Sequence, residues 1–204
     1  MEAVTAEEAT IATNITGLHN RHTGEAAAVI GNGLSRHAVN LTAVQRDCVL
    51  IGCNAIVRDH LPDYVIAGDP PPQFEWMKLK REGPVYINAG CSNVADFVGK
   101  SPVIRWRPFV RKGNFTGITA VCLAAYLGCN PIYLIGFDND ASNVYAGTEG
   151  YPKAYRTEDL HSQRMHGCIA QFGARYDTHP RIVQVGPHGF KWAERIDAPE
   201  EWRA

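Results

Sequence analysis

The 204-residue chain has no stretch long and apolar enough for a membrane span, which takes about 20 consecutive apolar residues. Its longest apolar run, Ile118 to Leu127, is broken by Thr119 and stops at Gly128. Charge of one sign is also missing. Against 20 Lys and Arg stand 21 Asp and Glu, a formal net charge of -1. Bulk electrostatics therefore gives it no general pull toward nucleic acid, although a local basic patch stays open. The start, Met1-Glu2-Ala3-Val4-Thr5-Ala6-Glu7-Glu8, is acidic and lacks the basic opening and apolar stretch of a secretory signal. No CxxC spacing occurs among Cys48, Cys53, Cys91, Cys122, Cys129 and Cys168, which removes a zinc knuckle and a redox motif. Cys48 and Cys122 lie inside apolar runs, where a free thiol acts as a small hydrophobe. A reduced, cytoplasmic protein is expected rather than three disulfides.

Glycine and proline, 19 and 12, follow no period, and 45% of residues are hydrophobic. Collagen-like, coiled-coil and disordered readings are excluded. The length fits one domain. Residues 1–24 are polar and turn-rich and are expected as an N-terminal appendage, with the domain proper over 25–204.

Short apolar runs bounded by turn residues then recur along the chain: Ala26–Ile30, Cys48–Ile51, Tyr64–Ala67, Val85–Ile87, Ile132–Ile135 and Arg181–Val185. Each suits a buried strand. Residues 117–127 fit a buried helix stopped by Gly128 and Asn130-Pro131, and a second helix is expected over 157–176 with Thr157 as its N-cap. Continuous rather than alternating apolar strands predict an α/β, Rossmann-like fold: a mostly parallel sheet covered by helices on both faces, in a single domain. Ligands of such sheets bind beyond the carboxyl ends of the strands, where this sequence repeatedly puts Gly, Asn and Asp.

Three of those places carry candidate chemistry. In Gly31-Asn32-Gly33-Leu34-Ser35 two glycines allow close approach of the backbone to a phosphate. The turn is not a dinucleotide fingerprint, since Arg36 stands where the third glycine belongs and Ile51 where an acid belongs. No Gly-Lys-Ser/Thr follows, which excludes the P-loop. A plain glycine turn after a strand satisfies the same pattern. Asp69, before Pro70, and Asp138, in Gly136-Phe137-Asp138, sit at strand ends and suit a sugar hydroxyl, a Mg²⁺ ion or simply a turn. His161 and His166 are five apart on a helix, about 140° around its axis, so they do not share a metal. One of them facing the cleft would serve as a general base.

Taken in order, these motifs resemble the bacterial α-2,3/α-2,8-sialyltransferase superfamily and the related MptE-like 6-hydroxymethylpterin diphosphokinase family. Both open on a strand and a Gly-x-Gly-Pro-Ser turn, matched by Gly31 to Ser35 with Leu34 in place of proline. Cys53-Asn54 is similar to the sialyltransferases' Cys-Asn strand end, and His161-Ser162 to their His-Ser. Pro62-Asp63-Tyr64-Val65 and Asp69 are closer to the diphosphokinase pattern. The longest similar stretch runs from Phe115-Thr116-Gly117 through Ile132-Tyr133-Leu134-Ile135-Gly136-Phe137-Asp138.

The resemblance implies an inverting sugar transfer from a CMP-type nucleotide donor to a hydroxyl acceptor, with no cofactor required. His161 would be the base. Tyr145, helped by Tyr151 or Tyr155, would stabilise the leaving phosphate, and Gly31, Asn32, Gly33, Ser35, Asn54, Asp69, Thr116, Gly117 and Asp138 would form the nucleotide site. The alternative is a Mg²⁺-dependent diphosphokinase acting on a hydroxymethyl pterin or similar heterocycle, with Asp69 and Asp138 as metal ligands. A third reading is nucleic-acid binding. Arg105-Trp106-Arg107-Pro108-Phe109-Val110-Arg111-Lys112 interleaves cations with aromatics, as single-strand platforms do, although a solvated strand with a half-buried Trp106 has the same pattern. DNA is thus a candidate partner that net charge does not favour; a homo-oligomer is expected, and a membrane is not.

Overall fold

A computed structural model describes residues 15–90, 96–106, 108, 116–138, 140, 142–153, 159–187 and 189–204, with the side chains of Phe97 and of residues 159–164 left out. Among the described residues nine strands form one sheet: β1 (Ala27–Ile30), β2 (Val49–Cys53), β3 (Tyr64–Ala67), β4 (Val85–Asn88), β5 (Phe97–Val98), β6 (Ser101–Arg105), β7 (Ile132–Ile135), β8 (Ile182–Val185) and β9 (Glu194–Ile196). Their order is β5-β6-β4-β3-β2-β1-β7-β8-β9. Eight strands run parallel, and β5 alone is antiparallel to its neighbour, β6. Four helices are described: α1 (Leu41–Asp47), α2 (Pro70–Leu79), α3 (Thr116–Tyr126) and α4 (Asp159–Tyr176). The parallel α/β fold expected from the strand pattern is the fold observed.

Side-chain alternation splits the core into two layers. Ala27 and Val29 of β1, Ile51 of β2 and Ile66 of β3 face α3 and α4. Ala28, Ile30, Leu50 and Val65 face the side that holds Val44 of α1 and Trp76 of α2. Both layers are buried, so the strands need no polar face, and this is why they read as continuous apolar runs. Helix α3 is the most deeply packed: apart from Gly117, every residue from Thr116 to Tyr126 is buried. Three prolines open α2, where their missing N–H groups would be unpaired in any case.

Two expectations change. Residues 15–24 are less of an appendage than their polarity implies: Leu18 is fully buried in the core, and the Asn20 and His22 amides donate to Tyr126 and Leu127 carbonyls at the end of α3. Trp106 is 7% exposed rather than half-buried, closing β6 against Tyr126 and Phe172. The rest of that basic stretch, Arg107 and residues 109–112, lies outside the described residues, as do Cys91, Tyr155 and Thr157. No helix among the described residues is long and apolar enough to cross a membrane.

Candidate functional site

The chain runs outward from β1 through β2, β3, β4 and β6, then returns to lay β7, β8 and β9 on the other side. This reversal opens a crevice at the carboxyl ends of β1 and β7, the usual ligand position in such sheets. Most of the candidates from the sequence gather along this edge: Asn32 after β1, Asn54 after β2, Asp69 after β3 and Asp138 after β7.

Four amides of the Gly31–Ser35 turn donate within the protein. The Gly31 amide donates to Ile135 O at 2.8 Å, Gly33 to Gly136 O at 2.8 Å and Leu34 to Ser142 Oγ at 3.2 Å. Ser35 gives its amide to Asp138 Oδ2 at 2.8 Å and its hydroxyl to Asp138 Oδ1. The two glycines are needed for close approach, as the sequence predicted, but what approaches is the β7 turn: a Cβ on Gly33 would lie 2.6 Å from the Asp138 carboxyl carbon. Asp138 is also held by Ser142 Oγ at 3.2 Å, so both of its oxygens are occupied. At Gly33 and Ser35 the group lying against this turn is the chain's own Asp138 carboxylate.

The unpaired polar atoms lie further along the edge. The buried Oδ1 atoms of Asn32 and Asn54 have no hydrogen-bond partner. They belong to the ends of adjacent strands, about 4.8 Å apart across the sheet. Asn54 is held in the left-handed region, at φ 58°, with its amide on Ile66 O and its carbonyl accepting from Trp76 Nε1 at 2.9 Å. Its backbone is therefore fixed while its side-chain oxygen is unspent. Next in strand order, the Gly68 amide donates to Thr116 Oγ1 at 3.2 Å, which pins the N-terminus of α3 to the end of β3. Gly117 is half-buried in the first turn of α3, whose amides have no helical acceptors. Asp69 is exposed at the start of α2 and makes no capping bond.

Gln73 and Asn88 were not singled out by the sequence. Gln73, fully buried, donates from Nε2 to Ala67 O and Asn88 Oδ1, both at 2.8 Å, and leaves Oε1 unpartnered. Among the described residues, the buried unpartnered side-chain atoms of Asn32, Arg36, Asn54 and Gln73 belong to segments that follow or cap this edge. Buried polar groups are normally satisfied, so such a concentration marks a place where a ligand or ordered water completes the structure.

Tyr145 lies in a cage. Its hydroxyl donates to Asp59 Oδ1 at 2.8 Å and accepts from Arg36 Nη2 at 2.9 Å, and Arg36 also pairs with Asp59. The Arg36 and Arg58 guanidinium groups lie 4.9 and 5.1 Å from its ring centroid. Burial pushes the Tyr145 phenol above its ordinary range, against the opposing pull of Arg36, so it stays protonated. Arg36 is itself 3% exposed. The sequence did carry a signal here, since arginine stood where a glycine was sought, but its partners came from 23 and 109 positions along the chain. Tyr151 packs against Tyr145 with ring centroids 5.4 Å apart and the planes tilted by 47°. His161 falls in the first turn of α4, and its side chain lies outside the described residues; His166 stacks on Trp192.

Asp69 and Asp138 lie apart along the edge. Both Asp138 oxygens are bonded to serine, and Asp69 follows β3, two strand spacings (about 10 Å) from the β1 turn that Asp138 covers. Among the described residues no three His, Cys, Asp or Glu side chains gather as a metal-binding group. A comparison with protein-family models and with characterised proteins finds no match to this chain.

Proposed function

We propose that the chain is a nucleotide-dependent transferase, and within that class a glycosyltransferase using a CMP-type donor. The observation that carries this is the pair of buried, unpartnered Asn32 and Asn54 oxygens on neighbouring strand ends. Both are acceptors, and a nucleotide supplies the matching donors, ribose hydroxyls and an exocyclic amine. The first turn of α3, at Thr116 and Gly117, lies on the same edge with amides that suit a phosphate. The Gly31–Ser35 turn then acts as the rigid wall that fixes Asn32, with Gly31, Gly33, Ser35 and Asp138 as its braces.

The roles of His161 and Tyr145 rest on the resemblance carried by the sequence. His161 takes the acceptor hydroxyl's proton as that oxygen attacks the anomeric carbon; the bond from that carbon to the phosphate breaks, and CMP departs with the electron pair. Tyr145, kept neutral, donates to the leaving phosphate, and to do so it must exchange its bond with Asp59 for one to the ligand.

A Mg²⁺-dependent diphosphokinase remains a second reading, favoured by the exposed, uncapped Asp69. Mg²⁺ commonly takes one or two carboxylates plus substrate phosphates, so Asp69 alone would hold it and the ion would neutralise phosphate charge. Asp138 would have to leave two serines to help. Calorimetry separates the readings. CMP should bind without Mg²⁺, and Asn32→Ala and Asn54→Ala should each weaken it about five- to tenfold, the worth of one buried hydrogen bond. ATP binding that requires Mg²⁺ and is lost in Asp69→Asn would transfer the assignment to the kinase.

A further inference from the structure

The Tyr145 cage holds one anion, the Asp59 carboxylate, and has a donor left over. Arg36 is its fixed part. The residue is almost wholly buried, its amide donates to Gly33 O, and the β7 turn presses on it, since a Cβ on Gly136 would lie 3.1 Å from the Arg36 Cβ. From Nη2 it donates to Asp59 Oδ2 and to the Tyr145 hydroxyl, which in turn donates to Asp59 Oδ1. Nη1 is equally buried and has no partner among the described residues. Asp59 is the loose part. Its side chain is 46% exposed, on the residue that follows the short helical turn Ile56–Arg58. Its two oxygens serve Nη2 and the phenol and leave Nη1 without an acceptor.

We infer that Asp59 is a displaceable internal occupant of an anion site whose receptor is Arg36, and that the anion admitted in its place is a phosphate group. The count of oxygens decides the class. A carboxylate brings two in one plane, whereas a phosphate brings three or more in a tetrahedron, enough for Nη1, Nη2 and the phenol together. Charge decides how the ligand enters. A buried guanidinium left alone is costly, so Asp59 departs as another anion arrives, and its own carboxylate passes into water. The Arg58 guanidinium, 5.1 Å from the Tyr145 ring centroid, adds a second positive charge beside the cage. Position joins the cage to the strand ends. The Val144 amide donates to Asn32 O at 2.8 Å, immediately before Tyr145, and Asp59 follows Asn54 in the same loop. That the phosphate belongs to a nucleotide rests on the reading above; that the cage takes a phosphate does not.

Inorganic phosphate is the probe, titrated at constant ionic strength with thermal unfolding as the readout and acetate as the two-oxygen comparison. Removing Asp59 removes the competitor, so Asp59→Ala should be stabilised by phosphate with an apparent affinity about tenfold above that of the unaltered chain. Acetate should act in the same direction but more weakly. Asp59→Asn, which keeps the shape of the side chain and loses its charge, carries the same test if the alanine variant does not fold. Adding Tyr145→Phe to either variant should weaken the phosphate response about tenfold, the worth of one hydrogen bond to a charged acceptor. Equal phosphate responses in variant and unaltered chain, acetate matching phosphate, or no effect of Tyr145→Phe would each overturn the inference. CMP is titrated into the unaltered chain alongside. A phosphate response in Asp59→Ala without CMP binding would remove the nucleotide reading and keep the anion site, and CMP binding without that response would do the reverse.

Discussion

Arg36 is the residue on which the carboxyl edge depends most for charge. It is almost wholly buried, its stated partners are Asp59 and the Tyr145 hydroxyl, and its Nη1 is unpartnered. Removing the carboxylate strands a buried cation, whereas removing the phenol oxygen leaves the ion pair intact. Asp59→Ala should therefore destabilise the protein by about 3 kcal/mol, and Tyr145→Phe by about 1 kcal/mol, in urea unfolding. Equal losses would show that Asp59, half in solvent, contributes little to holding Arg36. The sequence singled out Tyr145 through resemblance but not its cage, because Arg36, Asp59 and Tyr145 meet only after three separate loops fold over one sheet edge. Nor could it show that Asp138 is already bonded. An aspartate after a strand reads alike whether it faces solvent, a metal or a serine.

Turns and helices were legible to different degrees for physical reasons. β1, β3, β7 and α3 announce themselves as short apolar runs bounded by glycine, asparagine or proline. β6 does not, because Ser101-Pro102 begins it and the basic residues after Trp106 draw attention to charge. α2 begins with three prolines, which in isolation look like a loop, although all three occupy its first turn. α1 is only seven residues long, held by Asn40 Oδ1 accepting from the Ala43 amide at 3.2 Å, and offers little periodicity to detect. The β1 turn gives the sharpest test at this scale. Gly33→Ala would press a methyl group into the Asp138 carboxylate and should cost about 1–3 kcal/mol, the usual range for overpacking. A neutral result would mean that the β7 turn yields easily, and that the wall fixing Asn32 is soft.

At the scale of the molecule, the two-faced parallel sheet sets what is accessible. Cys48, Cys53, Cys122 and Cys129 are all buried and free; burial pushes the thiols of Cys48, Cys53 and Cys129 up to about 12 and that of Cys122 higher still. Thiolate, not thiol, reacts with alkylating and disulfide reagents. Of the five described cysteines only the half-buried Cys168 should be modified in the native protein at pH 8, with the other four appearing after urea is added. Labelling of Cys53 in the folded chain would show that β2 opens readily, in conflict with its place near the centre of the sheet. The same architecture leaves the strand ends as the place open to a ligand, since helices cover the strand faces, and the Asn32 and Asn54 oxygens there are unspent. The order of strands, from which the crevice follows, could not be read from the sequence, because each strand pairs with partners chosen by crossovers far along the chain.

Thermal unfolding with and without CMP tests the central claim most directly. Bound ligand at a hundredfold excess over Kd adds about 2.7 kcal/mol of stability. For a chain of this length that is a rise of about 5–10 °C in Tm. The nucleotide site along Asn32 and Asn54 predicts that rise without Mg²⁺ and its absence in the Asn32→Ala, Asn54→Ala double variant. No shift with saturating CMP or with ATP, whether or not Mg²⁺ is present, would contradict a nucleotide site on this edge.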